Sequence, residues 1–298
     1  MRRLILLVVT ILFAACNRQE EPTTTRGKLF MLVTESQVPL MTKEADEFMR
    51  EYNKTEIRMA GTTTREAIVA FLNDSVRCIC VDRQLNAEER KVVEQAGISP
   101  AKIRFGRGAL VLIVSDKNRL TTIDLGTIKS ILNKSVTAWK DVPGSHLSGK
   151  LELILLGKNS GVNELLRQGF FDLPNEIVPT KSASNEKEIV QYIAENPQAL
   201  GIVSFAAVVD HPAGIHKLGV QSSDSAAQGQ YIEPSQSNIY EMLYPLNYSL
   251  YLYVSESKLA VGSGFSTFVM TLPGQQIIQD YGLAPEIVPS RIIQLKSE

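Results

Sequence analysis

Residues 151–169 read Leu151-Glu152-Leu153-Ile154-Leu155-Leu156-Gly157-Lys158-Asn159-Ser160-Gly161-Val162-Asn163-Glu164-Leu165-Leu166-Arg167-Gln168-Gly169. The first six residues form an apolar run of strand length, and the last six have the pattern of a helix. Between them lies a glycine-flanked polar turn. A strand that ends at such a turn and feeds a helix leaves the first helical N–H groups unpaired at the carboxyl edge of a sheet. Together with the macrodipole, those donors make a place for an oxyanion. Ser160 is suited to capping the helix, to offering its hydroxyl to a ligand, or to both.

Two more turns of the same kind stand upstream. Val33-Thr34-Glu35-Ser36-Gln37-Val38-Pro39-Leu40 ends a strand in hydroxyls before a proline-started helix. Gly61-Thr62-Thr63-Thr64-Arg65-Glu66 places Thr63 and Glu66 at capping-box spacing. Each turn alone reads as a plain cap. Three of them allow hydroxyls and free N–H groups to converge on one polar ligand.

Around these turns strand-like and helix-like patterns alternate. Strands are predicted at 29–34, 56–60, 76–81, 108–115, 200–205 and 248–254. Helices are predicted at 41–52, 64–73, 86–96, 123–132, 185–195, 265–272 and 275–281, with Pro273-Gly274 breaking or kinking the last pair. Asn86 and Glu89 are spaced for a reciprocal cap, and Gly97 for the stop. Residues 211–237, rich in Gly, Ser and Gln, read as loop. The alternation predicts an α/β fold with largely parallel strands. The nearly continuous apolar run 108–115 suits a strand buried on both faces or one passing between two lobes. Tyr248, Tyr251 and Tyr253 read as core packing.

The N-terminus opens Met1-Arg2-Arg3, continues apolar from Leu4 to Phe13 and reaches Ala14-Ala15-Cys16. Two positive charges, a short apolar core and small residues describe a signal peptide over 1–15. A cysteine directly after them resembles a bacterial lipoprotein signal, with Cys16 lipidated and residues 16–27 a polar tether. The 31 basic residues less Arg2 and Arg3 leave 29 against 32 acidic ones, and no basic stripe argues for nucleic acid. Cys78 and Cys80, two apart on one strand face, read as buried thiols. His146, His211 and His216 are scattered in predicted loops, so no metal site and no cofactor is expected. Neither a Gly-x-Ser-x-Gly nor a His-Glu-x-x-His pattern is present, and no enzyme activity is expected.

The ordered features Thr34-Glu35-Ser36 before Pro39-Leu40, Arg83-Gln84-Leu85-Asn86-Ala87-Glu88-Glu89, Trp139, Asn159-Ser160-Gly161, Leu200-Gly201-Ile202, Tyr244-Pro245-Leu246 with Leu250-Tyr251-Leu252-Tyr253, and Gly274-Gln275-Gln276 resemble the phosphate-binding substrate proteins of bacterial ABC transporters. The resemblance covers residues 28–288. It implies a two-lobed, type II periplasmic-binding-protein fold, each lobe a mixed sheet flanked by helices. One lobe would hold 28–107 plus 250–298 and the other 112–245. It implies a monomeric binding protein held at the cell envelope by its lipid, serving a transporter permease by hinge closure on a small oxyanion. A sensory or scaffold lipoprotein that kept the fold and lost transport is the alternative.

The resemblance comes with departures. By alignment Arg77 stands where the family carries a pocket aspartate, Leu156 where it carries an arginine, and Val162 where it carries a threonine. Arg77 and the nearby Lys158 read equally as ligand contacts or as solvated surface. The expected ligand set is Glu35, Ser36, Thr62, Thr63, Thr64, Arg77, Asn159, Ser160, Gly161, Val162 and Asn163. With an arginine for a carboxylate, poor discrimination between phosphate and sulfate is expected.

Overall fold

A computed structural model of the chain describes residues 21–158, 160–222, 229–255 and 260–288. Cys16, Asn159 and the whole leader lie outside the described residues. The strands are β1 (Gly27–Thr34), β2 (Thr55–Thr62), β3 (Cys78–Val81), β4 (Ala101–Ser115), β5 (Thr122–Ile123), β6 (Glu152–Leu156), β7 (Lys181–Ala183), β8 (Ala199–Ser204), β9 (Ile215–Lys217), β10 (Gly219–Gln221), β11 (Tyr231–Ile232), β12 (Asn247–Val254) and β13 (Ala284–Pro285). The helices are α1 (Val38–Glu51), α2 (Thr64–Leu72), α3 (Ala87–Gln95), α4 (Leu125–Leu132), α5 (Gly161–Glu164), α6 (Glu186–Glu195), α7 (Gln236–Tyr240), α8 (Val261–Val269) and α9 (Leu272–Asp280). Helix α5 runs on without interruption into a π-helical turn, Leu165–Phe170.

One mixed sheet carries the order β2-β1-β3-β12-β4-β8-β6-β7, with β9 and β13 also paired to β4. Strands β2, β1 and β3 run parallel to one another, as do β8, β6 and β7. The two parallel groups meet through antiparallel β12 and β4. Strand β4 is the long apolar run of the sequence, extended seven residues further toward the N-terminus. Its first nine residues pair with β12 and its last six with β8 and β9. It is buried from Phe105 to its end because both faces and both edges are covered. Where β4 and β12 cross at Gly108, the Tyr248 ring lies over the glycine, and an added Cβ would sit 2.6 Å from the ring.

The helices form where the apolar spacing demands. Helix α1 buries Leu40, Met41, Ala45 and Phe48, and Phe48 meets Phe265 and Phe268 of α8 edge-on. Both expected capping boxes are present, Thr63 with Glu66 on α2 and Asn86 with Glu89 on α3. Cys78 and Cys80 are free, buried thiols, and the three tyrosines of β12 are buried. Among the described residues no helix is long and apolar enough to cross a membrane.

Four expectations need correction. The segment 211–237 is not all loop: it holds β9, β10 and β11 and the start of α7. His216 therefore sits on a strand, its ring 2.7 Å from the Leu120 carbonyl oxygen. The last two helices are broken apart as expected, but the break falls before Pro273 and not at it. The proline stands in the first turn of α9, where its missing N–H costs nothing. The tether expected to end at Gly27 already carries structure at Thr23–Arg26, a tight turn closed by Thr23 N–H donating to the Arg26 carbonyl at 2.8 Å.

Candidate functional site

In a parallel group every strand ends on the same edge, and β1, β2 and β3 bring Thr34, Thr62 and Val81 there together. The next residue after β3 is Asp82, 3% exposed. Its Oδ1 accepts the Thr64 hydroxyl at 2.6 Å, and Thr64 Oγ1 lies 2.8 Å from Thr34 Oγ1. Thr64 spends its one proton on Asp82, and the Thr34 hydroxyl has two acceptors within reach, Thr64 Oγ1 and the Cys80 carbonyl at 3.3 Å. The other oxygen, Oδ2, has no hydrogen-bond partner among the described residues. Burial, the largest influence, raises the Asp82 pKa to about 6, with Glu164 adding repulsion and the Thr64 hydrogen bond opposing it.

The opposite wall comes from the turn between β6 and α5. Ser160 accepts the Asn163 N–H at 3.3 Å and caps α5. Asn163 then folds back, its Nδ2 donating at 2.9 Å to the carbonyls of Leu156 and Gly157, so the turn is held shut. This leaves Asn163 Oδ1 buried and without a hydrogen-bond partner among the described residues. Gly161 is the point of contact between the walls. A Cβ there would lie 3.0 Å from Thr34 Cγ2, 3.1 Å from Asp82 Oδ2 and 4.0 Å from Ser36 Oγ. Only a residue without a side chain lets the start of α5 come this close to the unpartnered carboxylate oxygen.

The structure brings together Ser36, Thr64, Ser160, Gly161 and Asn163 of the expected ligand set. Thr62 and Thr63 are adjacent, their hydroxyls committed to Glu66 Oε2 at 2.6 and 3.0 Å. Glu35 is exposed at the start of the 3-10 turn Glu35–Gln37. Val162 is buried and packs in the hydrophobic core. Asn159 lies outside the described residues.

Arg77 is elsewhere. It precedes β3 at the amino edge, five residues from Asp82, or roughly 16 Å along an extended chain. There it pairs with Asp74 through two contacts of 3.1 Å, half-exposed. The buried carboxylate at the carboxyl edge of this strand group is Asp82, which the sequence reading passed over. The signal that identifies it is its place directly after a four-residue apolar strand and directly before Arg83. Lys158 is exposed and lies 3.9 Å from Glu176. The guanidinium beside the site, Arg83, is committed to Glu89 at 2.9 and 3.0 Å and reaches Glu164 of α5 at 3.6 Å. No group of three or more His, Cys, Asp or Glu among the described residues is disposed to hold a metal.

A family model described as the PBP superfamily domain matches residues 18–271. The chain belongs to the PBP superfamily. The phosphate-binding protein PstS of Staphylococcus saprophyticus is 20% identical over 249 residues, which is 83% of this chain and 75% of that protein. The PstS of Staphylococcus aureus is 19% identical over 254 residues, covering 83% and 73%. Among solved structures, an ABC-type phosphate transport receptor from Vibrio cholerae superposes with a TM-score of 0.71 at 16% identity, covering 86% of this chain and 98% of that one. PstS from Borrelia burgdorferi gives 0.62 at 19% identity, covering 87% and 99%. At these identities the structural likeness establishes the fold alone: two-lobed and type II.

Proposed function

We propose that this superfamily member is the solute-binding lipoprotein of a phosphate-type ABC transporter. It takes a protonated tetrahedral oxyanion between residues 28–107 plus 250–288 on one side and 112–245 on the other. Amides at the start of α5, with hydroxyls of Ser36 and Ser160, receive the anionic oxygens. Asp82 Oδ2 accepts the proton the oxyanion carries. The observation that carries this reading is that oxygen, buried, unpartnered and 3.1 Å from where a Gly161 side chain would be. A buried acceptor without a donor costs about 1–3 kcal/mol or more if charged, and a ligand O–H relieves it. Phosphate near neutral pH has such a proton, whereas sulfate brings only negative charge toward the carboxylate. The ligand is held and released without bond chemistry, and lipid on Cys16 keeps the protein at the envelope beside its permease.

The test is calorimetry of the full-length chain with phosphate and with sulfate at pH 7. Phosphate is expected to bind at least about tenfold tighter, the size of one charge-assisted hydrogen bond. Equal affinity for the two anions, or sulfate preferred, overturns the role of Asp82. Failure of both to bind overturns the oxyanion reading itself.

A further inference from the structure

A hydroxyl that receives an anionic oxygen must donate to it, and it has one proton to give. The hydroxyls around the site sort by that rule. Thr62 and Thr63 give their protons to Glu66 Oε2, and Thr64 gives its own to Asp82 Oδ1. Thr34 has Thr64 Oγ1 and the Cys80 carbonyl within reach. Ser36 and Ser160 differ: each accepts an N–H, and neither has an acceptor for its own proton among the described residues.

For Ser160 that N–H belongs to Asn163 and is the ordinary capping bond of α5. For Ser36 the donor is a side chain, Nε2 of the adjacent Gln37, at 3.2 Å. Gln37 stands at the N-cap of α1, yet its side chain makes no capping bond there. It is 2% exposed, and its Oε1 has no hydrogen-bond partner among the described residues. Burial of an amide with its oxygen unsatisfied is unfavourable, so the position is not one that packing alone selects. Ser36 Oγ in turn lies 4.0 Å from where a Cβ on Gly161 would be, at the contact between the two walls. The amide also acts on Tyr248, whose pKa burial raises and Gln37 draws back. That tyrosine lies over Gly108 where β4 and β12 cross, so one buried side chain adjoins both the site and the crossing.

We propose that Gln37 is a positioning residue for the ligand: by holding Ser36 Oγ as the acceptor of its Nε2–H, it leaves the Ser36 proton for an anionic ligand oxygen. The ligand is then read with opposite polarity at two points. Asp82 accepts the proton that the oxyanion carries, and Ser36 donates to an oxygen that carries none. Without the amide the Ser36 hydroxyl is free to turn, and its proton is no longer aimed. This inference rests on the oxyanion reading of the site.

The experiment is titration calorimetry of the full-length chain in detergent with inorganic phosphate. It compares the native chain, Ser36→Ala, Gln37→Met and the double variant, each checked by its melting curve. Ser36→Ala removes one charge-assisted hydrogen bond and is expected to weaken binding about tenfold. Gln37→Met leaves every atom of Ser36 in place and is expected to weaken binding by about threefold or more, up to the loss seen in Ser36→Ala. In the Ser36→Ala background the same substitution should cost no further affinity, because the proton it aims is gone. A packing role would persist in that background, so two losses that multiply overturn the inference and leave the oxyanion reading standing. Native affinity in either single variant overturns it as well. Gln37→Leu repeats the cycle if the methionine variant does not fold. No phosphate heat from the native chain overturns both readings.

Discussion

Asp82 and Glu44 are both buried carboxylates with oxygens that have no hydrogen-bond partner among the described residues, and their surroundings assign them different work. Asp82 faces the cleft turn, where a ligand proton can reach it. Asp82→Asn keeps the shape, loses the negative charge and gains donors that sulfate can use. It should narrow the phosphate-to-sulfate ratio by about tenfold or more, read by competition calorimetry. Glu44, on α1, is fully buried, and burial lifts its pKa to about 9 with Glu47 adding to the rise. The native state holds that proton up to about pH 9, whereas the unfolded chain releases it near 4.5. Its contribution to stability is therefore complete below pH 4.5 and drains away as pH rises toward 9. Glu44→Met removes the titration and keeps the volume. Its stability relative to the native chain should grow by about 3 kcal/mol between pH 5 and 7.5, at 1.36 kcal/mol per unit. Urea unfolding at the two pH values measures this, and a constant difference would mean that Glu44 is not held neutral.

At the scale of elements, the site depends on how closely α5 approaches the carboxyl edge of β1 and β3. Gly161→Ala places a methyl 3.0 Å from Thr34 Cγ2 and 3.1 Å from Asp82 Oδ2, tighter than ordinary packing. The helix start must then back away, and every amide-to-ligand contact lengthens with it. A loss of phosphate affinity of about tenfold or more is expected, on the scale of one lost charge-assisted bond, with the melting temperature nearly unchanged. Ser160→Ala acts differently because it also removes the cap of α5. It should cost about 1 kcal/mol of stability as well as affinity, and thermal unfolding without ligand separates the two effects.

For the whole molecule, the two parallel groups of strands communicate through β4 and β12. Their crossing at Gly108 and Tyr248 leaves no room for a side chain on the glycine. Closure about a few element-end residues is the established motion of such architectures. A saturating ligand should lower the radius of gyration in small-angle scattering with helix content unchanged. Gly108→Val, which drives a branched side chain into the Tyr248 ring, should blunt that contraction. A ligand-bound particle as large as the free one would show that the cleft does not close on it.

What could be read along the chain was what neighbours in sequence decide. The capping pairs Thr63–Glu66 and Asn86–Glu89 sit three residues apart and complete their own hydrogen bonds, so spacing alone predicted them. The apolar run 108–115 carried its burial in its composition, and the alternation of patterns carried the α/β class. Three features needed the folded chain. Whether Arg77 or Asp82 enters the site depends on where β3 begins and ends, and its pairing with β1 and β12 decides that. Strands β9, β10 and β11 have two or three residues each, too few for a period, and exist because β4 and β5 supply their partners. The buried oxygen of Asp82, without a hydrogen-bond partner among the described residues, is a fact of packing among residues far apart in sequence. Local hydrogen bonding and periodicity act over a few residues and leave their mark in order, whereas convergence at a strand edge is set by register between distant segments.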